Sequence, residues 1–157
     1  MFLGMDAYSF TILHVTISLI AIAAGLLTLA GMIASRDFKG FSLLFLMMTG
    51  ATSVTGFLFP IASFSPAQVL GVLSLLILAS TIAAKYCFHL HGRWRWTYTA
   101  GATAVLYFNC FVAVVQAFQK ILPFTSQPVF ILAQSLLLAF FVGMGISAER
   151  RFWPERG

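Results

Sequence analysis

The chain has 157 residues, of which 61% are hydrophobic and only 8% charged, with a mean hydropathy of +0.98. A soluble domain carries about 25% charged residues, so this composition excludes a globular domain with a water-facing surface and points to an all-α integral membrane protein. The formal net charge is +5, but the basic residues sit in short clusters between apolar runs, which suits membrane flanks and not a nucleic-acid-binding face.

Charged, proline and glycine positions divide the chain into five expected spans. The first covers 8–33 and ends at SRDFKG. No Lys or Arg precedes it, so it is expected to be a retained helix and not a cleaved signal peptide. The second covers 41–61 and ends at ASFSPA, with Pro60 at its end. The third covers 66–88 and runs into HLHGRWRW, the fourth covers 97–118 and ends at QKILPFTSQP, and the fifth covers 129–147 before the tail AERRFWPERG. Each is near the ~20 residues that cross a hydrocarbon core. The apolar runs are continuous, not alternating, which argues against a β-barrel. One compact bundle of five transmembrane helices over 1–157 is the expected architecture.

Five spans place the two termini on opposite sides. Arg36, Lys39, Lys85, Arg93, Arg95, Arg150, Arg151 and Arg156 then share one side, and only Lys120 falls on the other. Basic flanks stay cytoplasmic, so the N-terminus is expected outside and the C-terminus inside. Arg93, Trp94, Arg95, Trp96, Arg150, Arg151 and Trp153 are the expected interface anchors, where indole rings and cations meet anionic lipid headgroups. Small residues that allow helices to approach occur as Ala21/Gly25, Gly50/Ser53/Gly56 and Ala139/Gly143/Ser147.

The stretch LYFNCFVAVVQAFQK at 106–120 carries two carboxamides, Asn109 and Gln116, seven residues apart. Two helical turns put them on one face. By depth, His14 and Gln134 fall in the same outer half, and Ser53 and Thr55 could join them. The candidate ligand-binding cluster is therefore His14, Asn109, Gln116 and Gln134. Such groups serve either as hydrogen-bonding glue between helices or as the lining of a polar pocket for a small ligand, a quinone head or a proton path. The opposite face of the fourth span, with Phe111, Val115 and Phe118, suits lipid or an apolar helix. Asp6 is the only acid expected on the outer side, which disfavours a two-carboxylate hydrolase. No catalytic or metal-ligating constellation is present. Cys87 and Cys110 lack any metal spacing and read as small buried hydrophobes.

Histidine is the usual axial ligand of haem b, which makes the three histidines candidates for such a site. His14 lies in the outer half, whereas His89 and His91 lie at the cytoplasmic edge, so they cannot share one iron within a monomer. No cofactor is expected, with haem b or quinone at His14 as the alternative.

The segments HVTISLIAIAAGLLTLAG, FSPAQVLGVLSLLILAS, HGRWRW, LYFNCFVAVVQAFQK and SQPVFILAQ resemble, in this order, the bacterial DUF2306-type membrane proteins. That family has no assigned activity to carry over; the resemblance implies a small multi-helix protein of the bacterial inner membrane. Some members have a further histidine near the start of the second span. The corresponding segment here, KGFSLLF, has none, which disfavours a paired-histidine site.

The expected function is a non-enzymatic accessory or scaffold subunit of a larger membrane complex, partnered by lipid and by other membrane subunits or further copies of itself. The alternatives are a small transporter or channel-like protein using the outer polar pocket, and a redox protein binding haem or quinone through His14.

Overall fold

The computed structural model describes residues 4, 6–59, 66–121 and 126–153. The chain forms α1 (Ala7–Ile33), α2 (Lys39–Phe57), α3 (Pro66–Ile82), a π-helical turn (Ala83–Cys87) that continues α3, α4 (Arg93–Lys120) and α5 (Gln127–Arg151). All five helices are long and apolar enough to cross a membrane, the third counted together with its π turn. The expected end of the second span at Pro60 and Ile61, and Arg156 in the tail, lie outside the described residues.

Two helix starts differ from expectation. The fourth helix begins at Arg93, so Arg93–Trp96 form its first turn and are not a loop. The fifth begins at Gln127 and runs through Arg150 and Arg151. Basic and aromatic flanking residues stay helical because the backbone hydrogen-bond ladder continues through the interface without a breaker. Asp6 caps α1 by accepting from the Ser9 backbone N–H at 3.2 Å and the Ser9 hydroxyl at 2.7 Å.

The helices pack in chain order as a ring, with α5 closing on α1, and α4 touches all four others. One buried face of α4 carries Tyr98, Gly101, Ala102, Val105 and Leu106; Thr99 and Thr103 are also buried, Thr103 beside Gly145 of α5. Phe45 and Leu46 of α2, Leu78 of α3, and Ala24 and Leu29 of α1 meet that face. Gly25 is needed there, because a Cβ on it would stand 2.5 Å from Leu106 Cδ1 and 2.9 Å from the Phe45 ring. By contrast, nothing lies within 4 Å of a Cβ built on Gly143, so the Ala139/Gly143/Ser147 stripe is not an approach surface within this chain. On α5 only Phe141 and Ala148 are buried.

Hydroxyl groups inside the helices are satisfied locally. Thr28 donates to Ala24 O, Thr81 to Ile77 O and Thr103 to Thr99 O, at 2.7–2.8 Å. This back-bonding lets polar side chains sit in an apolar span without an orphaned donor.

Candidate functional site

Residues of α1, α2, α3 and α4 face one another at the end that carries the α1 N-terminus. A cavity of about 650 Å³ lies between them, within the range of small-ligand sites. Its walls are largely apolar, including Val15, Phe57, Phe108 and Val112, and His14, Ser18, Thr52, Asn109, Gln116 and Lys120 interrupt them.

Each polar group is set by its helix position. His14 stands two turns into α1, with its Nδ1 2.7 Å from Thr55 Oγ1. Thr55 Oγ1 is also 2.7 Å from Ala51 O, a contact that needs the hydroxyl proton between the two oxygens. The Thr55 oxygen therefore accepts, and His14 Nδ1–H donates. The neutral ring is left with Nε2 as an acceptor. Phe59 meets the imidazole edge-on, with centroids 5.2 Å apart, which fixes the ring plane. One turn deeper, the Ser18 hydroxyl donates to His14 O at 2.8 Å and lies 3.4 Å from Thr52 Oγ1. At the floor, Asn109 Nδ2 donates to the buried Thr49 Oγ1 at 3.2 Å.

His14, Asn109 and Gln116 thus come together at one cavity, with Gln116 on α4 two turns nearer the mouth than Asn109. Gln134 does not join them. It sits on α5 behind α4, where its Nε2 donates to Phe111 O at 3.3 Å, and its Oε1 is buried without a partner among the described residues. Depth alone put Gln134 level with the cavity, but depth does not say which side of α4 a neighbouring helix occupies. The face of α4 with Phe111 and Phe118 meets α5, with the Phe118 and Phe130 rings 5.3 Å apart.

The interface anchors divide in two. Arg93, Trp96, Arg150, Arg151 and Trp153 are exposed at the end opposite the cavity mouth. Trp94 stacks on Phe88 with centroids 3.8 Å apart. Arg95 turns inward: it donates to Glu149 O at 2.8 Å, Phe152 O at 2.9 Å and Glu149 Oε1 at 2.9 Å, and lies 4.4 Å from the Trp153 ring centroid. It closes the C-terminus of α5, because its helix position faces the last carbonyls of α5. Cys87 is exposed and Cys110 half-buried, both free thiols; the expectation of a buried role fails for Cys87, which the π turn carries outward. No cluster of metal-ligating residues exists among the described residues.

Residue-type reasoning passed over Ser18, Thr52, Gln68 and Ser74, which also line the cavity. For Ser18 and Thr52 the signal was the helical spacing of hydroxyls on α1 and α2; Gln68 and Ser74 lie on α3. More consequential is Lys85, read from sequence as a helix-end charge. It is buried, donating to Asp37 Oδ1 at 2.7 Å, to Ser42 Oγ and to Tyr98 OH at 3.3 Å.

Comparison with known protein families, curated proteins and solved structures gives no match.

Proposed function

We propose that this chain is a multi-pass protein of the bacterial inner membrane, N-terminus outside and C-terminus cytoplasmic, that binds a small amphipathic ligand in the cavity between α1 and α4. The carrying observation is the convergence of His14, Asn109, Gln116 and Lys120 on one mostly apolar cavity of about 650 Å³. Burying polar groups in a membrane bundle is costly unless they find partners. His14 and Asn109 are oriented by Thr55 and Thr49, each with polar capacity remaining. Lys120 at the rim, and the lack of a carboxylate among the described lining residues, favour an uncharged or anionic head over a cation. The head would donate to His14 Nε2, and the apolar body would lie against Phe57, Phe108 and Val112.

A quinone-type head is one chemistry of this class; the His14 Nε2 acceptor suits its hydroxylated form. The accessory-subunit expectation rests on the lack of a catalytic constellation, the small extramembrane mass and residues suited to helix–helix and lipid contact, and the cavity gives ligand binding the stronger support. The asymmetry of basic residues supports the orientation: Arg36, Lys39, Arg93, Arg150 and Arg151 lie at one end of the bundle, and Lys120 at the other.

Native mass spectrometry tests the reading. A Gly56→Leu side chain would project beside His14, since a Cβ there lies 3.7 Å from His14 Cε1, and would fill the cavity. Wild-type protein released from nonionic detergent should carry a small-molecule mass that Gly56→Leu lacks. Identical adducts on both proteins, or none on either after gentle extraction, would count against a ligand cavity.

A further inference from the structure

The interior does not end at the cavity floor. On α3, Ser74, Leu78, Thr81 and Lys85 are all buried, at spacings of four, three and four. On α2, Ser53, Thr49, Leu46, Phe45 and Ser42 share the inward face and are all buried. Along each helix eleven residues separate the cavity lining from the far end, Ser74 from Lys85 and Ser53 from Ser42, a rise of about 16 Å. Three layers follow one another on this axis. The first is the cavity, down to Asn109 and Thr49. The second is an apolar plug of Phe45, Leu46, Leu78 and Leu106, about 10 Å deep between Thr49 and Ser42 at 1.5 Å per residue. The third is the set Lys85, Asp37, Ser42 and Tyr98, where the Lys85 ammonium also lies 4.9 Å from the Tyr98 ring centroid.

We propose, building on the ligand-cavity reading, that the cavity is the entrance of a carrier path through the bundle, and that the Lys85–Asp37 pair is the latch closing its far end. The argument is geometric. The latch bridges three separate chain segments: the α1–α2 link through Asp37, the end of α3 through Lys85, and the first turns of α4 through Tyr98. It therefore holds together the ends that would have to part for the plug to open. Lys85 stands on the buried face that Ser74, Leu78 and Thr81 define, and it lies within a five-residue π turn, with Phe88 N–H bonding Ala83 O at 3.0 Å and Leu90 N–H bonding Ala84 O at 3.0 Å. A π turn holds one more residue than an α turn. Its reversion to α would rotate the residues beyond it, Phe88 onward, by about 100°, which would shift the link to α4, and Tyr98 with it, relative to Lys85. The segment after the turn holds His89 at φ 50° and Leu90 at φ 60°, left-handed conformations unfavourable for residues with a Cβ. Cavity, thin plug and single polar latch on one axis match what alternating access requires: an interior site reached from one side while the other is shut.

The test is two-sided thiol labelling of the full chain in oriented vesicles. Cys87→Ser and Cys110→Ala remove the native thiols, and Ser53→Cys reports the cavity floor, using a membrane-impermeant methanethiosulfonate cation. With the latch intact, Ser53→Cys should react from the cavity side only. Adding Asp37→Asn removes the counter-charge while conserving side-chain volume, so no hole is made, the plug stays in place, and only the closed state keeps the Lys85 ammonium buried without its partner. Labelling from the Lys85 side should then rise by roughly tenfold or more, as the closed population loses its latch. Unchanged labelling from the Lys85 side, with cavity-side labelling preserved, would overturn the latch and leave the pair a structural tie. Labelling from both sides before the latch is altered would also overturn it. Failure of Ser53→Cys to react from the cavity side in the unlatched and latched proteins alike would instead overturn the accessible cavity on which the proposal stands.

Discussion

Severing the Lys85–Asp37 pair should give an asymmetric stability pattern. The side chains retain 7% and 16% of their exposure, respectively, so Lys85 is the more deeply buried partner. Asp37→Asn leaves that ammonium buried with only Ser42, Tyr98 and the new amide oxygen around it. Removing one partner of a buried pair costs about 3–5 kcal/mol. The remaining hydroxyl contacts and the Tyr98 ring place this case near the lower end, about 3 kcal/mol. Lys85→Met leaves Asp37, which has an edge toward solvent and can recover water; a lost charge-assisted hydrogen bond of about 1.5–3 kcal/mol is the expected scale. Replacing both removes two charges from the interior together, and such replacements come out near neutral. The double variant should lie within about 1 kcal/mol of wild type, giving a coupling of several kcal/mol between sites in direct contact. Equilibrium unfolding in mixed micelles, followed by far-ultraviolet circular dichroism, measures all four corners of the cycle. Additive single-mutant losses, or an Asp37→Asn variant as stable as wild type, would show that the ammonium is not desolvated as the geometry requires.

Other positions give independent checks. Gly25→Ala should destabilise by about 1–3 kcal/mol through overpacking against Leu106 and Phe45, whereas Gly143→Ala, with open space around its Cβ, should cost nothing measurable in the same unfolding assay. Arg95→Ala should raise amide exchange across 149–153 by removing the donors to Glu149 O and Phe152 O, and Arg93→Ala should leave it unchanged; equal effects would mean that charge at this end, and not the bond geometry, holds the tail. The Ser9 hydroxyl and backbone hydrogen bonds hold the Asp6 carboxyl below its ordinary 3.8, so its contribution to the α1 start is present above that value and lost as pH falls through the lowered one. Amide exchange at residues 8–10 should accelerate on acidification in wild type and be already fast, and less acid-sensitive, in Asp6→Ala. Asn109→Leu removes the bond to the buried Thr49 hydroxyl, and should cost about 1 kcal/mol in stability while abolishing any small-molecule mass carried by the wild type.

What could be read from the chain alone follows from how each physical signal is written. Span number and approximate bounds are carried by continuous apolar runs, a one-dimensional property, so five membrane-length helices were legible directly. The common face of Asn109 and Gln116 was also legible, because helical periodicity fixes relative direction within a single helix. Which faces meet across helices is a three-dimensional property, and here the reading diverged at Gln134: it has the right depth, but α5 packs on the Phe111 side of α4. Lys85 shows the converse. Near a helix end among basic residues, composition assigns it to the interface, whereas its helical spacing directs it inward. Its position eleven residues beyond Ser74, through Leu78 and Thr81, was the available clue, since those residues define the buried face that Lys85 joins. A lysine on the inward face of a membrane helix needs a counter-charge within reach. Asp37 is the only acid in the described link between α1 and α2, and Glu149 is already bonded to Arg95. Lys85 and the half-buried Arg95 thus each take one of the two carboxylates described at this end, which leaves Arg36, Lys39, Arg93, Arg150 and Arg151 to carry its net positive charge among the described residues.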